Sequence, residues 1–201
     1  MYVVATPIGN LADITYRAVE VLASVDLILA EDTRHSRALI QHYGIQTRLV
    51  SLHEHNERDK AQWVIQQLSV GQTCALISDA GTPLISDPGY TLVNAVRSAG
   101  YSVIPIPGAC ALVTALSACG LPTDKFIFLG FVPVKSSAQS VLWQRLLDCQ
   151  ETVILYESTH RLMSTLNSMH AELGDQRRIC VAKELTKTHE AVVTGTIPEI
   201  L

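Results

Sequence analysis

The chain is poor in aromatic residues, which make up 5% of its 201, and no apolar stretch in it approaches the roughly 18 residues needed to cross a bilayer. The second absence excludes a membrane-spanning helix. The first, set beside an apolar content of 48%, leaves a chain rich in aliphatics, which suits parallel strands covered by helices on both faces. No charged segment leads into an apolar one at the start, so no secretory leader is read there. No CxxC pair occurs. The five cysteines (Cys74, Cys110, Cys119, Cys149 and Cys180) are odd in number and scattered, and read as small buried apolar residues of a reducing, cytoplasmic compartment. No basic excess exists either. The formal net charge is −4, so a nucleic-acid partner would have to be gripped by local patches. Neither GxGxxG after the first strand nor GxxxxGK[ST] is present, which disfavours conventional dinucleotide binding and P-loop hydrolysis.

What is present is a regular alternation. Short aliphatic strands are expected at 2–5, 27–30, 49–52, 73–77 and 103–106, separated by amphipathic helices. One helix, with Asp13 as its expected N-cap, carries Ala18, Val21, Leu22 and Val25 on one face; another carries Ala61, Val64, Ile65 and Leu68. Gly44 and Gly71 stop two of them. A small-residue helix over 109–119 leads to a linker at Leu121-Pro122-Thr123-Asp124-Lys125, after which the rhythm restarts with strands at 126–131, 152–156, 179–184 and 191–194. The expected architecture is therefore α/β in two lobes, 1–120 with a mostly parallel sheet and 121–201 with a mixed one. Pro198-Glu199-Ile200-Leu201 reads as the opening of a helix, so the second lobe is expected to be incomplete at its C-terminus.

Three glycine-containing loops follow first-lobe strands: Thr6–Asn10, Asp79–Gly89 and Pro107-Gly108-Ala109. Ligands of open parallel sheets bind at strand carboxyl ends, and glycine lets backbone approach a ligand closely; ordinary turns would look the same one at a time. Glu31-Asp32-Thr33-Arg34-His35 is either a site or the acidic first turn of a helix. His53-Glu54-His55-Asn56 is a substrate-contact loop or a solvated turn, since no HExxH or cysteine cluster supports a metal. Tyr156-Glu157-Ser158-Thr159-His160-Arg161 and Lys183-Glu184-Leu185-Thr186-Lys187 are the second lobe's polar segments, readable as a helix cap and a charged hairpin.

Taken in order, Ala5-Thr6-Pro7-Ile8-Gly9-Asn10-Leu11, Ala30-Glu31-Asp32-Thr33-Arg34, Ser78-Asp79-Ala80-Gly81-Thr82-Pro83 with Asp87-Pro88-Gly89, Pro107-Gly108, Tyr156–Arg161 and Glu184-Leu185-Thr186-Lys187 resemble the tetrapyrrole-methylase superfamily. Within it they resemble the branch that methylates the 2′-hydroxyl of a cytidine in the decoding region of 16S ribosomal RNA. The resemblance runs from residue 2 to about residue 196. It implies a bilobed fold with S-adenosylmethionine in the cleft, a homodimer, and 16S rRNA or the small ribosomal subunit as partner, with no metal and no membrane. The donor contacts it implies are Pro7, Asp79, Ala80, Gly81, Thr82, Ile85, Cys110 and Ala111, with Glu157, Leu185 and Thr186 from the second lobe. Tetrapyrrole methylases usually carry a glycine-rich first loop and a G-G-D-P fourth loop. Here these read Thr6-Pro7-Ile8-Gly9-Asn10 and Ala80-Gly81-Thr82-Pro83, which argues against a porphyrinoid acceptor.

Methyl transfer from a sulfonium is an in-line displacement, so most of the acceleration is expected from positioning. A ribose hydroxyl also needs a base, or a cation that lowers its pKa, a help of roughly 10²–10⁴. Asp32 and Glu184 are the candidate base or orienting carboxylates, and Arg34 and Lys183 the candidate cations. Arg37, His53, His55, Asn56 and Arg161 are candidates for gripping RNA. The alternatives are a methylase acting on a tetrapyrrole or corrinoid intermediate, and a non-catalytic RNA-binding module.

Overall fold

The computed structural model describes residues 1–53 and 56–201. They divide into two compact units, Met1–Cys110 and Ala111–Leu201. The small-residue helix expected at the end of the first lobe falls in the second unit, where its Leu112, Leu116 and Cys119 line an apolar cavity of that unit.

In the first unit five strands form one parallel sheet: β1 (Tyr2–Val4), β2 (Leu27–Ala30), β3 (Arg48–Ser51), β4 (Cys74–Ile77) and β5 (Ile104–Ile106), in the order β3-β2-β4-β1-β5. Both faces are covered, which is why the strands are aliphatic throughout rather than alternating with polar residues. Leu27, Leu29, Cys74 and Leu76 pack with Ala61, Val64, Leu92 and Val96 of α3 (Glu57–Ser69) and α4 (Tyr90–Ser98). Ile28, Ala30, Ala75 and Ile77 pack on the other face with Ala18, Leu22 and Ile40 of α1 (Tyr16–Ser24) and α2 (Thr33–His42). The expected cap at Asp13 is displaced. Asp13 ends a short 3₁₀ turn, and Thr15 caps α1 by accepting a hydrogen bond from the Ala18 amide at 3.1 Å.

The strand order places a crevice. From β1 the chain crosses over β4 to reach β2, and from β4 it crosses over β1 to reach β5. Connections from these two neighbours therefore leave toward opposite edges of the sheet, each passing over the other strand, and this switch point at their carboxyl ends is where an open parallel sheet binds its ligands.

The second unit contains α5 (Ala111–Ala118), a parallel pair β6 (Phe126–Phe131) and β7 (Thr152–Tyr156), an antiparallel pair β8 (Arg178–Lys183) and β9 (Ala191–Thr196), and helices α6 (Ser136–Leu146), α7 (Leu162–Leu173) and α8 (Ile197–Ile200). Its core centres on Trp143, fully buried, whose indole N–H donates to Ser168 Oγ at 2.9 Å. A cavity of about 860 Å³ is lined by aliphatic residues of α5, α7, β7 and β8.

Candidate active site

At the crevice of the first unit, the loops after β1 and β4 are joined backbone to backbone. Thr6 and Gly81 exchange two hydrogen bonds, at 2.9 and 3.0 Å, and the buried Thr6 hydroxyl donates to the Ser78 carbonyl at 3.1 Å. The loop after β5 joins them. Thr82 Oγ1 donates to the Ala109 carbonyl at 3.0 Å, and a Cβ placed on Gly108 would stand 2.9 Å from the Ala5 methyl. Gly81 has φ +85°, and a Cβ on it would stand 3.3 Å from Ile8 Cγ2. Three glycine-containing loops far apart in sequence thus form one backbone cradle at the carboxyl ends of β4, β1 and β5. Within the loop after β4, Leu84 (φ 72°) and Ser86 (φ 68°) hold left-handed backbone despite their side chains, a strain that persists only where the surroundings enforce it.

The electrostatics of the cradle are one-sided. Residues 6–10, 79–89 and 107–110 contain no Lys, Arg or His, and they contribute Asp79 and Asp87. Glu31, at the end of β2, is half-buried; burial and then the neighbouring charges of Asp79, Asp87 and Asp32 push its carboxyl above the usual range. Burial raises Asp87 too, against a hydrogen bond from Ser78 that lowers it and the charge of Asp79 that raises it. Such a field suits a cationic ligand and repels a pyrophosphate. S-adenosylmethionine carries a sulfonium cation, so the cradle fits that molecule both in sign and in its close backbone approach.

Because Glu31 is raised in the fold, its ionised form costs the protein stability once the pH exceeds the raised value, and the cost is absent below the ordinary carboxylate pKa. Glu31→Gln is therefore expected to raise the thermal midpoint at pH 7 by about 1–2 °C after allowance for solvent screening. The gain should vanish near pH 4, and a scan of melting temperature against pH checks both.

Asp32 and Arg34 are brought together. Asp32 caps α2 by accepting from the Arg34 amide at 2.8 Å, and both of its oxygens accept from the Arg34 guanidinium, at 3.2 and 2.8 Å. These bonds hold Asp32 down to about 2. The Asp32 amide in turn donates to Asp79 Oδ1 at 3.1 Å, tying the ends of β2 and β4. Pro7, Thr82, Ile85 and Cys110 are half-buried around the cradle, and Ala80 is exposed. Arg37 is exposed on α2. Asn56 folds back on its own loop, accepting from the His53 amide at 2.9 Å with its side-chain amide 3.2 Å from the His53 ring. His55 lies outside the described residues.

In the second unit Glu157 is held on both oxygens. The Ser158 amide (2.7 Å) and Arg161 donate to one, and Thr165 Oγ1 (2.6 Å) to the other. Burial raises this carboxyl, but the bonds from Thr165, Ser158 and Arg161 outweigh it and the net shift is downward. Arg161 also donates to the Val132 carbonyl at 2.9 Å, so the end of β7 is pinned to β6 and α7. Lys183 and Glu184 are exposed at the end of β8; Glu184 (φ 50°) and Thr186 (φ 69°) are left-handed, Leu185 is half-buried, and the Thr186 hydroxyl is buried without a partner among the described residues. Ala111 opens α5.

Glu31, Asp87, Ser78 and Glu57 were not singled out from the sequence. Glu31, Ser78 and Asp87 lie inside the sequence motifs, and burial, for the two acids beside like charges, is what distinguishes them. Among the described residues no group of three or more His, Cys, Asp or Glu could hold a metal, and no helix is long and apolar enough to cross a membrane.

Comparison with known proteins matches residues 1–201 to the family of Tetrapyrrole (Corrin/Porphyrin) Methylases. The chain is 53% identical over 200 residues to the Ribosomal RNA small subunit methyltransferase I of Haemophilus influenzae, covering 100% of this chain and 71% of that one. It is 53% identical over 201 residues to the Escherichia coli O157:H7 protein of the same name, covering 100% and 70%. A Synechocystis protein of that name is 52% identical over 197 residues, covering 98% and 71%. Among solved structures, the methyltransferase CobJ superposes with a TM-score of 0.73 at 18% identity, covering 98% of this chain and 86% of that one. Diphthine synthase superposes at 0.73 and 15%, covering 99% and 82%, and these two likenesses speak for the fold alone.

Proposed function

From a chain that belongs to the tetrapyrrole (corrin/porphyrin) methylase family, we propose an S-adenosylmethionine-dependent methyltransferase whose acceptor is the 2′-hydroxyl of a cytidine ribose in 16S ribosomal RNA. The observation that carries this reading is the joining of three loops at the sheet's crevice into an acidic backbone cradle without a basic residue. The acceptor is supported by relatives at 53% identity that are named ribosomal RNA small subunit methyltransferases. The first and fourth loops, which depart from the glycine-rich form usual in methylases of porphyrinoids, speak against a tetrapyrrole acceptor.

The donor supplies a methyl group made electrophilic by its sulfonium. The protein's part is to bind, orient and deprotonate. Gly81, Thr82, Ala80, Ile85, Pro7 and Cys110 form the cradle for the donor, with Asp79 bracing the loop against β2; Ala111, Glu157, Leu185 and Thr186 are the second unit's proposed contributions. Asp32, ionised down to about pH 2, is a weak proton acceptor, so its role is to orient Arg34 rather than to act as the base. Arg34, 86% exposed at its side chain, keeps a guanidinium nitrogen beyond the Asp32 contacts for a ribose hydroxyl or a neighbouring phosphate. A cation there favours ionisation of the hydroxyl. Lys183 and Glu184 are the second unit's corresponding pair: as the O–CH3 bond forms and the S–CH3 bond breaks, the thioether leaves as S-adenosylhomocysteine and the hydroxyl proton passes to the Glu184 carboxylate, the remaining candidate base. Arg37, His53, His55, Asn56 and Arg161 are the proposed RNA contacts.

Calorimetry with S-adenosylmethionine, followed by tritiated-methyl transfer onto small ribosomal subunits or onto uroporphyrinogen, tests the reading. Donor uptake and label in RNA are expected. Label in the tetrapyrrole would replace the acceptor, and absence of donor uptake would leave an RNA-binding module without catalysis.

A further inference from the structure

Helix α4 begins where the donor loop ends, and its first turn has no cap of its own. Gly89 is the N-cap residue, and it makes no side-chain cap bond. A side chain cannot be accommodated there. Gly89 has φ +130°, and a Cβ on it would lie 2.9 Å from Leu76 Cδ2 and 3.3 Å from Leu84 Cδ1. The helix therefore cannot take the Ser, Thr, Asp or Asn that usually satisfies a first-turn amide. The missing acceptor comes from another helix. Glu57, in the first turn of α3 and only 7% exposed, accepts a hydrogen bond from the Leu92 amide at 2.8 Å. A buried carboxylate is costly unless its charge is used; here it meets an orphan N–H and the positive end of a helix.

We propose that Glu57 is a positioning residue for methyl-donor binding, clamping the far end of the 79–89 loop through the Leu92 amide. The near end of that loop is held by the Thr6–Gly81 pair and by Thr82 on Ala109. Between the two clamps lie Leu84 and Ser86, whose left-handed backbone needs enforcement from both sides. Glu57 also follows directly on the His53–Asn56 turn, so the loop after β3 and the loop after β4 are fastened to each other through one side chain. The proposal rests on the reading that the 79–89 loop holds the donor.

The test uses the full chain and three variants: Glu57→Ala, Glu57→Gln, which keeps a carbonyl acceptor, and Val64→Ala. Val64 is a fully buried residue of the same helix in the apolar cluster that also holds Leu92, and since its side chain has no polar atom to offer the Leu92 amide, its truncation serves as the control for lost packing without loss of the hydrogen bond. S-adenosylmethionine affinity is read by calorimetry at a temperature where all are folded, and exchange of the Leu92 amide by hydrogen–deuterium measurements. Glu57→Ala is expected to weaken donor affinity about tenfold and to speed Leu92 exchange, with Glu57→Gln within about twofold of wild type and Val64→Ala unchanged in donor affinity. Wild-type affinity in Glu57→Ala, or equal weakening in Val64→Ala, overturns the proposal. Unaltered Leu92 exchange in Glu57→Ala overturns the clamp itself. A wild-type protein that takes up no donor overturns the reading of the loop and this role with it, while Leu92 exchange still reports on the clamp.

Discussion

Arg34→Ala is expected to slow methylation of small-subunit rRNA by about 10²-fold or more at saturating donor, with donor affinity little changed. The guanidinium is attached to the protein through Asp32, which takes two of its N–H groups and the Arg34 backbone amide as well. Asp32 is itself fixed by its place as the α2 cap and by the bond from its amide to Asp79. If that is the chain of support, Asp32→Ala should cost nearly as much as Arg34→Ala, and the double variant no more than the worse single one, because the two residues act as a unit. Arg34→Lys should rescue little, since an ammonium cannot occupy both oxygens of Asp32 in a planar fork and still present a nitrogen outward. The pair stays charged down to about pH 2, so loss of rate between pH 5 and 7 would come from another group. Rates for the four variants on assembled small subunits decide the matter; additive losses from Asp32 and Arg34 would falsify the coupled role.

The largest loss of stability is expected from Gly89→Ala, about 2–4 kcal/mol, or roughly 5–15 °C in melting temperature. Two costs combine. An L-residue at φ +130° is strained wherever it sits, and the added methyl would press on Leu76, a buried strand residue flanked in the sheet by β1 and β2. Gly100 separates them. It has φ +84°, and a methyl added to it would meet nothing within 4 Å, so Gly100→Ala should show only the backbone cost, about 1 kcal/mol. Denaturant melts of both proteins check the comparison. If Gly89→Ala is no worse than Gly100→Ala, the contact with Leu76 is relieved by movement, and the argument that no capping side chain fits at this position fails.

The alternation of strands and helices in the first unit could be read from periodicity, because the energy that forms those elements lies in repeating apolar positions along the chain. β2 falls on the expected residues, and β1, β3, β4 and β5 within one residue at each end. Capping was less legible. Asp13 and Thr15 are both acceptors near the start of α1, and which of them closes the helix depends on where the preceding turn leaves the backbone. The unit to which α5 belongs is not legible either, since that helix looks the same in sequence whichever core buries it.

In the site, Asp32 and Arg34 are two residues apart, so their pairing was within reach of the sequence, and glycine loops after strands marked the cradle. Glu31, Asp87 and Glu57 could not be picked out in that way. Their character comes from groups distant along the chain: Asp79 and Asp87 beside Glu31, and the Leu92 amide against Glu57. Glu157 and Arg161 carry the same lesson, for a motif that suggested ligand contacts is also the pin that holds β7.

Family, element order and loop chemistry were thus written in local patterns and ordered motifs, where each residue's contribution depends on near neighbours. Strand order, the meeting of three loops at the crevice, and the proton affinity of each carboxylate came from the folded chain. They depend on burial and on charges brought within a few ångströms across dozens of residues, and no local pattern encodes those distances.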